Sequence, residues 1–89
     1  PDNGEALLSL ASLYRQQNNV ERAKMTYLRA ESLADVKQRA MLGRAQIAID
    51  QRQYQDALTL LRQVYKSYPS RSDLLGNIQS LENLVKNTI

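Results

Sequence analysis

The 89-residue chain contains no Cys and no His. That removes disulfides, thiolate nucleophiles, imidazole bases and the commonest zinc ligands together. Without cysteine, the redox compartment leaves no trace in the sequence. Trp and Phe are also missing, and only 2 Pro and 3 Gly occur, so little interrupts a helix. No apolar run approaches the roughly 18–20 residues of a membrane span, which argues against direct membrane insertion. No signal peptide is visible, although the chain opens with Pro1 at a repeat boundary and a targeting segment could precede it. The net charge is only +3, with both signs interspersed. Charge of this kind describes solvated helix faces rather than a nucleic-acid tail, so no nucleic-acid partner is expected.

Catalysis has little to work with. Ser and Thr have no base at helical or loop spacing to activate them. Glu31 and Asp35 are neighbours in sequence, but a helix end followed by a cap explains both. A metal would have to be held by carboxylates alone, and they form no cluster. The chain is therefore read as a non-enzyme without cofactor or metal.

What the chain does have is a repeat. Ala, Leu, Gln and Arg are plentiful, which favours helix. Moved by 34 residues, Ala6 falls on Ala40, Leu8 on Leu42, Ala11 on Ala45, Gln17 on Gln51 and Ala23 on Ala57. Tyr27 falls on Leu61 and Ala30 on Val64. The matches sit mostly at small or apolar positions, where a repeated packing unit would hold them. A single domain, 1–89, is expected, with units at 4–37 and 38–71 and a terminal or truncated-repeat helix at 72–87. A domain this small buries only about 60–65% of its unfolded surface, so it is marginal alone.

Five helices follow from the spacing. Asp2 and Glu5 form a capping-box pattern ahead of a helix from Glu5 to about Gln16. Its inward face is Leu7, Leu10, Ala11 and Tyr14. Asn18 and Asn19 suit a left-handed helix end and the next cap. A second helix runs to about Leu33, with Val20, Ala23, Tyr27 and Ala30 inward. Asp35 with Gln38 predicts the cap of a third helix over Val36–Asp50, with Met41, Ala45 and Ala48 inward. Gln51, Arg52 and Gln53 form a turn in which Arg is a weak choice for a positive φ. A fourth helix over Tyr54–Tyr68 buries Ala57, Leu61 and Val64, and Pro69 stops it. Ser70 or Ser72 caps a fifth helix to about Lys86, striped with Leu74, Leu75, Ile78, Leu81 and Val85. Gln79 and Glu82 stand there in the columns of Ala45 and Ala48. That helix is either half of a truncated unit or a cover for the open end of an array. Tyr14, Tyr54, Tyr65 and Tyr68 are scattered over different elements, which suits core packing better than a base-stacking platform.

These residues resemble the tetratricopeptide repeat, whose pattern is W-x2-L-G-x2-Y, then A-x3-F, then P, over 34 residues. Leu7-x2-Leu10-Ala11-x2-Tyr14 with Ala23-x3-Tyr27 matches the first unit. Met41-x2-Arg44-Ala45-x2-Ala48 with Ala57-x3-Leu61 and Pro69 matches the second. Tyr54 and Val20 take the place of a frequent aromatic, and the proline column reads Pro1, Asp35, Pro69. On that column Pro1 is expected to close a preceding repeat, making the chain a fragment of a longer array. Arg44 departs from a usually buried leucine: either it loosens the third helix, or its stem is buried and its head reaches water.

The resemblance implies an all-α fold of antiparallel helix hairpins stacked as a right-handed superhelical solenoid, with small residues (Ala11 with Ala23, Ala45 with Ala57) where each hairpin closes. It also implies that the first helix of each hairpin lines a concave groove. The groove residues would be Leu8, Ser12 and Arg15, then Arg39, Leu42, Gln46 and Ile49, then Asp73, Asn77 and Ser80. Leu8, Leu42 and Ile49 lie outside the core pattern and ask for a cover, which an extended peptide or partner helix could supply. Arg15 and Arg39 would flank it and select acidic or polar neighbours. Some family members grip a chaperone's C-terminal carboxylate; here those positions hold Leu8, Ser12, Gly43, Asp73 and Asn77, which cannot do so. Two readings stay open. One is a protein-interaction scaffold binding a peptide or protein partner. The other is a structural spacer or homo-oligomerising module. The Gln-, Asn- and Arg-rich helices resemble bacterial members, many of them in envelope or periplasmic assemblies for polysaccharide export, pili or secretion.

Overall fold

A computed structural model of the chain describes residues 3–87. It has five helices: α1 Gly4–Gln16, α2 Val20–Glu31, α3 Lys37–Asp50, α4 Tyr54–Ser67 and α5 Ser72–Asn87. α1 packs on α2, α3 on both α2 and α4, and α5 on α4. The Cα extents are 43 × 30 × 15 Å. The shortest fits two helix layers at the usual interaxial distance of about 8–10 Å. The fold is thus a helical-hairpin stack with first helices in one layer and second helices in the other.

Each hairpin turn is built from the same bonds. Asn18 and Arg52, one period apart, have φ of 61° and 60°. The Asn18 N–H donates to the Arg15 carbonyl at 3.0 Å and the Asn19 N–H to Tyr14 at 2.8 Å. In the second unit Arg52 donates to Ile49 at 3.0 Å and Gln53 to Ala48 at 2.7 Å. This paired closure satisfies the last carbonyls of α1 and α3. Asn enters the left-handed region readily and Arg does not; the second unit keeps the turn at some backbone cost.

The helix starts differ from expectation. Asp2 lies outside the described residues, and the cap of α1 is Asn3, whose side chain accepts from the Ala6 N–H at 3.3 Å. Asn19 takes the cap position of α2 without a side-chain bond. Asp35 does not cap α3. The cap position is Val36, again with no side-chain bond. The cause is packing: α2 ends at Glu31 rather than Leu33, tight turns carry the chain to Val36, and Val36 is buried in the first core cluster. Tyr68 leaves the helix at φ −134° and ψ 69°, out of the helical region that the following Pro69 disfavours.

The core forms two clusters. The first joins Leu7, Ala11, Ala23, Tyr27, Ala30 and Val36 to Ala40 and Ile47 of α3. The second joins Met41, Ala45 and Ala48 of α3 to Ala57, Leu58, Leu60, Leu61 and Val64 of α4 and to Leu74, Ile78 and Leu81 of α5. α3 therefore serves both hairpins with opposite sides. Ala11, Ala23 and Ala57 have no exposed surface and Ala45 retains 1%, so the hairpins do close on small side chains. Ile47, Leu58 and Val64 are almost fully buried, each contributing roughly 1.5–3 kcal/mol by burial.

Two expected core residues are not core. Leu10 is 37% exposed and Leu75 is 41% exposed. Each sits beside, not on, the stripe its helix buries. Arg44 does not loosen the third helix: its side chain is 26% exposed, so some water still reaches it. It lies in the α2–α3 contact, where its Nη2 donates to Glu31 Oε1 at 3.0 Å and its Nε to Glu31 Oε2. On α5, Gln79 and Glu82 are exposed where α1 and α3 bury Ala11 and Ala45 or shelter Tyr14 and Ala48. The helix covers α4 with Leu74, Ile78 and Leu81, and the column that closes the earlier hairpins on Ala11 and Ala45 holds Gln79 there.

Candidate functional site: the face of the first helices

α1, α3 and α5 carry the expected groove residues, but these do not form one continuous groove. Leu8 and Ser12 line a shallow hollow on α1 with Glu5, Leu13 and Arg39. Leu42, Gln46 and Ile49 of α3 face Asp73, Asn77 and Ser80 of α5 across a cleft of about 370 Å³. The cleft exists because α5 packs on α4 while no Cα of α5 lies within 8 Å of α3. Its floor is apolar, from Ala45, Leu61, Leu74 and Leu81, and the exposed Gln46, Asn77 and Ser80 stand on its walls.

Leu8, Leu42 and Ile49 are not surplus to the core. Leu8 packs half-buried against the first cluster, and Leu42 and Ile49 against the second. They are groove walls that the fold already uses, so they do not by themselves ask for a cover.

The arginines are also committed within the chain. Arg15 donates from Nη2 to Asp50 Oδ2 at 2.9 Å and from Nε at 3.2 Å. Gln46 Nε2 donates to the other Asp50 oxygen at 3.0 Å. The Gln46 amide first, then Arg15, hold the Asp50 carboxyl below its ordinary value. Arg39 pairs with Glu5 through both terminal nitrogens. Its hydrogen bonds and charge lower the Glu5 carboxyl, and Glu5 raises the Arg39 guanidinium in return. Both pairs tie α1 to α3. Arg15 and Arg39, expected to select acidic or polar neighbours, are thus already paired, and a ligand carboxylate would have to displace Asp50 or Glu5.

The α3–α5 cleft is closed at one end by Arg71. Its Nη1 donates to Gln38 Oε1 at 2.6 Å, and Nη2 and Nε donate to the two Asp73 oxygens at 2.8 and 3.1 Å. Those bonds depress the Asp73 carboxyl. The net result is a cleft in which Arg71 and Asp73 neutralise one another, the Gln46 amide nitrogen is held by Asp50, and the Asn77 amide and Ser80 hydroxyl are exposed. Among the described residues, no three His, Cys, Asp or Glu converge as metal ligands, and no helix is long and apolar enough to cross a membrane.

Two features escaped sequence reasoning. A hollow of about 470 Å³ lies between α2 and α4, lined by Lys24, Leu28, Arg44, Asp56 and Leu60 among others; no sequence pattern marks it. The α1–α3 ion pairs did leave a signal. Glu5 and Arg39 are 34 residues apart and Arg15 and Asp50 are 35 apart, so the period that aligns the alanines also aligns opposite charges.

Residues 4–36 and residues 39–71 each match a tetratricopeptide repeat family model, and together the two matches cover most of the chain. Neither curated protein sequences nor solved structures gave a match. With the 34-residue period, the doubled turn and the small-residue hairpin contacts, these matches establish that the chain belongs to the tetratricopeptide repeat family.

Proposed function

We propose that this chain, like tetratricopeptide repeats generally, serves protein–protein contacts. We propose that it binds a segment of a partner protein in the α3–α5 cleft, through an uncharged, partly apolar stretch in extended conformation. The observation that carries this reading is the pairing of an apolar floor with exposed Gln46, Asn77 and Ser80. An extended backbone needs amide and hydroxyl partners along its edge and pockets for alternate side chains. Acidic ligands are disfavoured, because the basic groups around the cleft already hold Asp50 and Asp73. Affinity for a short peptide should be near μM, about −8 kcal/mol, given the small surface offered.

Random linear peptides displayed on phage and panned on the chain provide the test. Selected peptides should be uncharged at their centre and lose at least tenfold in affinity, about 1.4 kcal/mol, on Asn77→Arg with Ser80→Arg. Both positions are exposed, so the helical signal should persist. Leu8→Ser with Leu42→Ser is the poorer choice, because both leucines pack on the core. Peptides that bind the arginine variant unchanged would place the binding surface elsewhere.

A further inference from the structure

Between α2 and α4 the chain departs from its own repeat. Lys24 and Leu58 are one period apart, so they stand in the same column of their hairpins. The mismatch matters because Leu58 is 2% exposed and packs in the second cluster. Lys24 is itself largely covered, with a side chain only 33% exposed. Its ion-pair partner among the described residues is Glu21, at 3.9 Å and with a side chain 85% exposed. An ammonium held down without a close acceptor costs stability, whereas the counterpart leucine contributes it. Where packing does not offset such a break in the pattern, a functional site is the expected cause.

The lysine borders the hollow of about 470 Å³. α2 and α4 do not touch: no Cα of one lies within 8 Å of the other, and Arg44 and Ala48 of α3 lie between them. Buried Ala48 and Leu60, with half-exposed Leu28, give the hollow an apolar patch. Arg44 is already bonded to Glu31. Asp56, on the α4 side, is exposed and makes no side-chain hydrogen bond or ion pair among the described residues. The hollow thus sets a weakly held cation from α2 and an uncommitted anion from α4 around one apolar patch. The two do not pair with each other, so both remain available to a ligand.

We propose that the hollow binds an aliphatic α-amino acid as its zwitterion. The ligand carboxylate meets Lys24 Nζ, its ammonium meets the Asp56 carboxylate, and its side chain lies against Leu28, Ala48 and Leu60. Each ligand charge then faces its opposite. An acid without an ammonium would set its carboxylate near Asp56 uncompensated, and an amine without a carboxylate would do the same beside Lys24. The hollow belongs to the layer of second helices and the α3–α5 cleft to the layer of first helices, so this site is independent of the peptide cleft.

L-Leucine is the probe, titrated into the isotope-labelled chain and followed by amide chemical shifts. Shifts should saturate at Lys24, Leu28, Ala48 and Asp56 with a dissociation constant on the order of 1 mM, as befits a small ligand in a half-open site. Lys24→Met and Asp56→Asn should each weaken binding about fivefold, the worth of a charged hydrogen bond discounted for exposure. Lys24→Leu installs the residue of the counterpart column: it should abolish the saturable shifts and raise the urea midpoint. A lowered midpoint would show that Lys24 supports the fold, and would overturn the proposal. Asn77→Arg with Ser80→Arg, in the other layer, should leave leucine binding unchanged. N-acetyl-leucine and leucinamide each lack one charge and should bind at least about fivefold more weakly. If either equals leucine, the hollow reads a single charge, as the end of a peptide chain carries, and the zwitterion assignment is overturned. If the shifts at the hollow do not saturate, there is no site.

Discussion

Gly43 and Gly76 lie one residue short of a full period apart, both inside helices of the same layer, yet Ala at these two positions should act with opposite sign. A Cβ built on Gly43 falls 2.4 Å from Cε1 and Cζ of the Tyr27 ring. No real Cβ tolerates that, so either the ring or α3 must move, and Tyr27 is only 7% exposed in the first cluster. A Cβ on Gly76 meets nothing within 4 Å. Replacing Gly by Ala inside a helix gains about 0.8–1.0 kcal/mol from backbone propensity. Overpacking costs about 1–3 kcal/mol. Gly76→Ala should therefore stabilise by nearly 1 kcal/mol, whereas Gly43→Ala should destabilise by up to about 2 kcal/mol. Propensity cancels in the comparison, leaving the cost of the ring contact alone. Urea titration followed by circular dichroism measures both, and the melting temperatures should differ by at least about 4 °C. In a Tyr27→Leu background, where the first unit carries the residue that Leu61 provides in the second, Gly43→Ala should stabilise as Gly76→Ala does. Equal stabilisation by both substitutions in the native background refutes the close α2–α3 approach.

The hairpins were legible because their contacts depend on residues that are small at fixed spacing. Ala11, Ala23, Ala45 and Ala57 mark the closures and all are buried. Ile47 was not legible as core because α3 is apolar on two sides, and a single-face pattern finds only Met41, Ala45 and Ala48. Leu10 fits the helical spacing of Leu7 and Ala11 but lies beside the stripe that α1 buries against α2, and is 37% exposed. Val36 displaced Asp35 from the cap because burying a valine outweighs one exposed capping bond. The expected groove residues lie on α1, α3 and α5, and Leu42, Gln46, Ile49, Asp73, Asn77 and Ser80 share one cleft. What the sequence concealed was engagement. Arg15 and Arg39 are on that layer, but whether a guanidinium is available depends on which carboxylate stands opposite in the next helix.

Acid should act through the groove carboxylates. Glu5, Asp50 and Asp73 have lowered values in the fold, so their contribution is fully present above the ordinary range of about pH 4–5 and is lost as pH falls through the lower folded values. Urea midpoints from neutral pH to acid should decline through that window, and Asp50→Asn should decline less; an unchanged acid limb refutes the assignment. Ala23→Leu and Ala57→Leu should each cost roughly 1–3 kcal/mol by overpacking the hairpin closures, and unaltered melting temperatures for both would remove those closures from the argument. The sharpest remaining test is the Glu31–Arg44 pair. Its side chains are 15% and 26% exposed, so Glu31→Ala strands a half-buried guanidinium between α2 and α3. The cost should be about 1–3 kcal/mol, below the 3–5 of a fully buried pair because some water still reaches the head group. Replacing both partners by the residues one period on, Glu31→Tyr with Arg44→Ile, installs the apolar version of the same contact that Tyr65 and Ile78 occupy. That double variant should match or exceed the native chain in stability, since exchanging an ion pair for packed apolar residues is often neutral or favourable. The pair's work is then discrimination between neighbouring helices rather than net stability. A double variant as unstable as Glu31→Ala would show that the α2–α3 and α4–α5 interfaces are not equivalent in geometry.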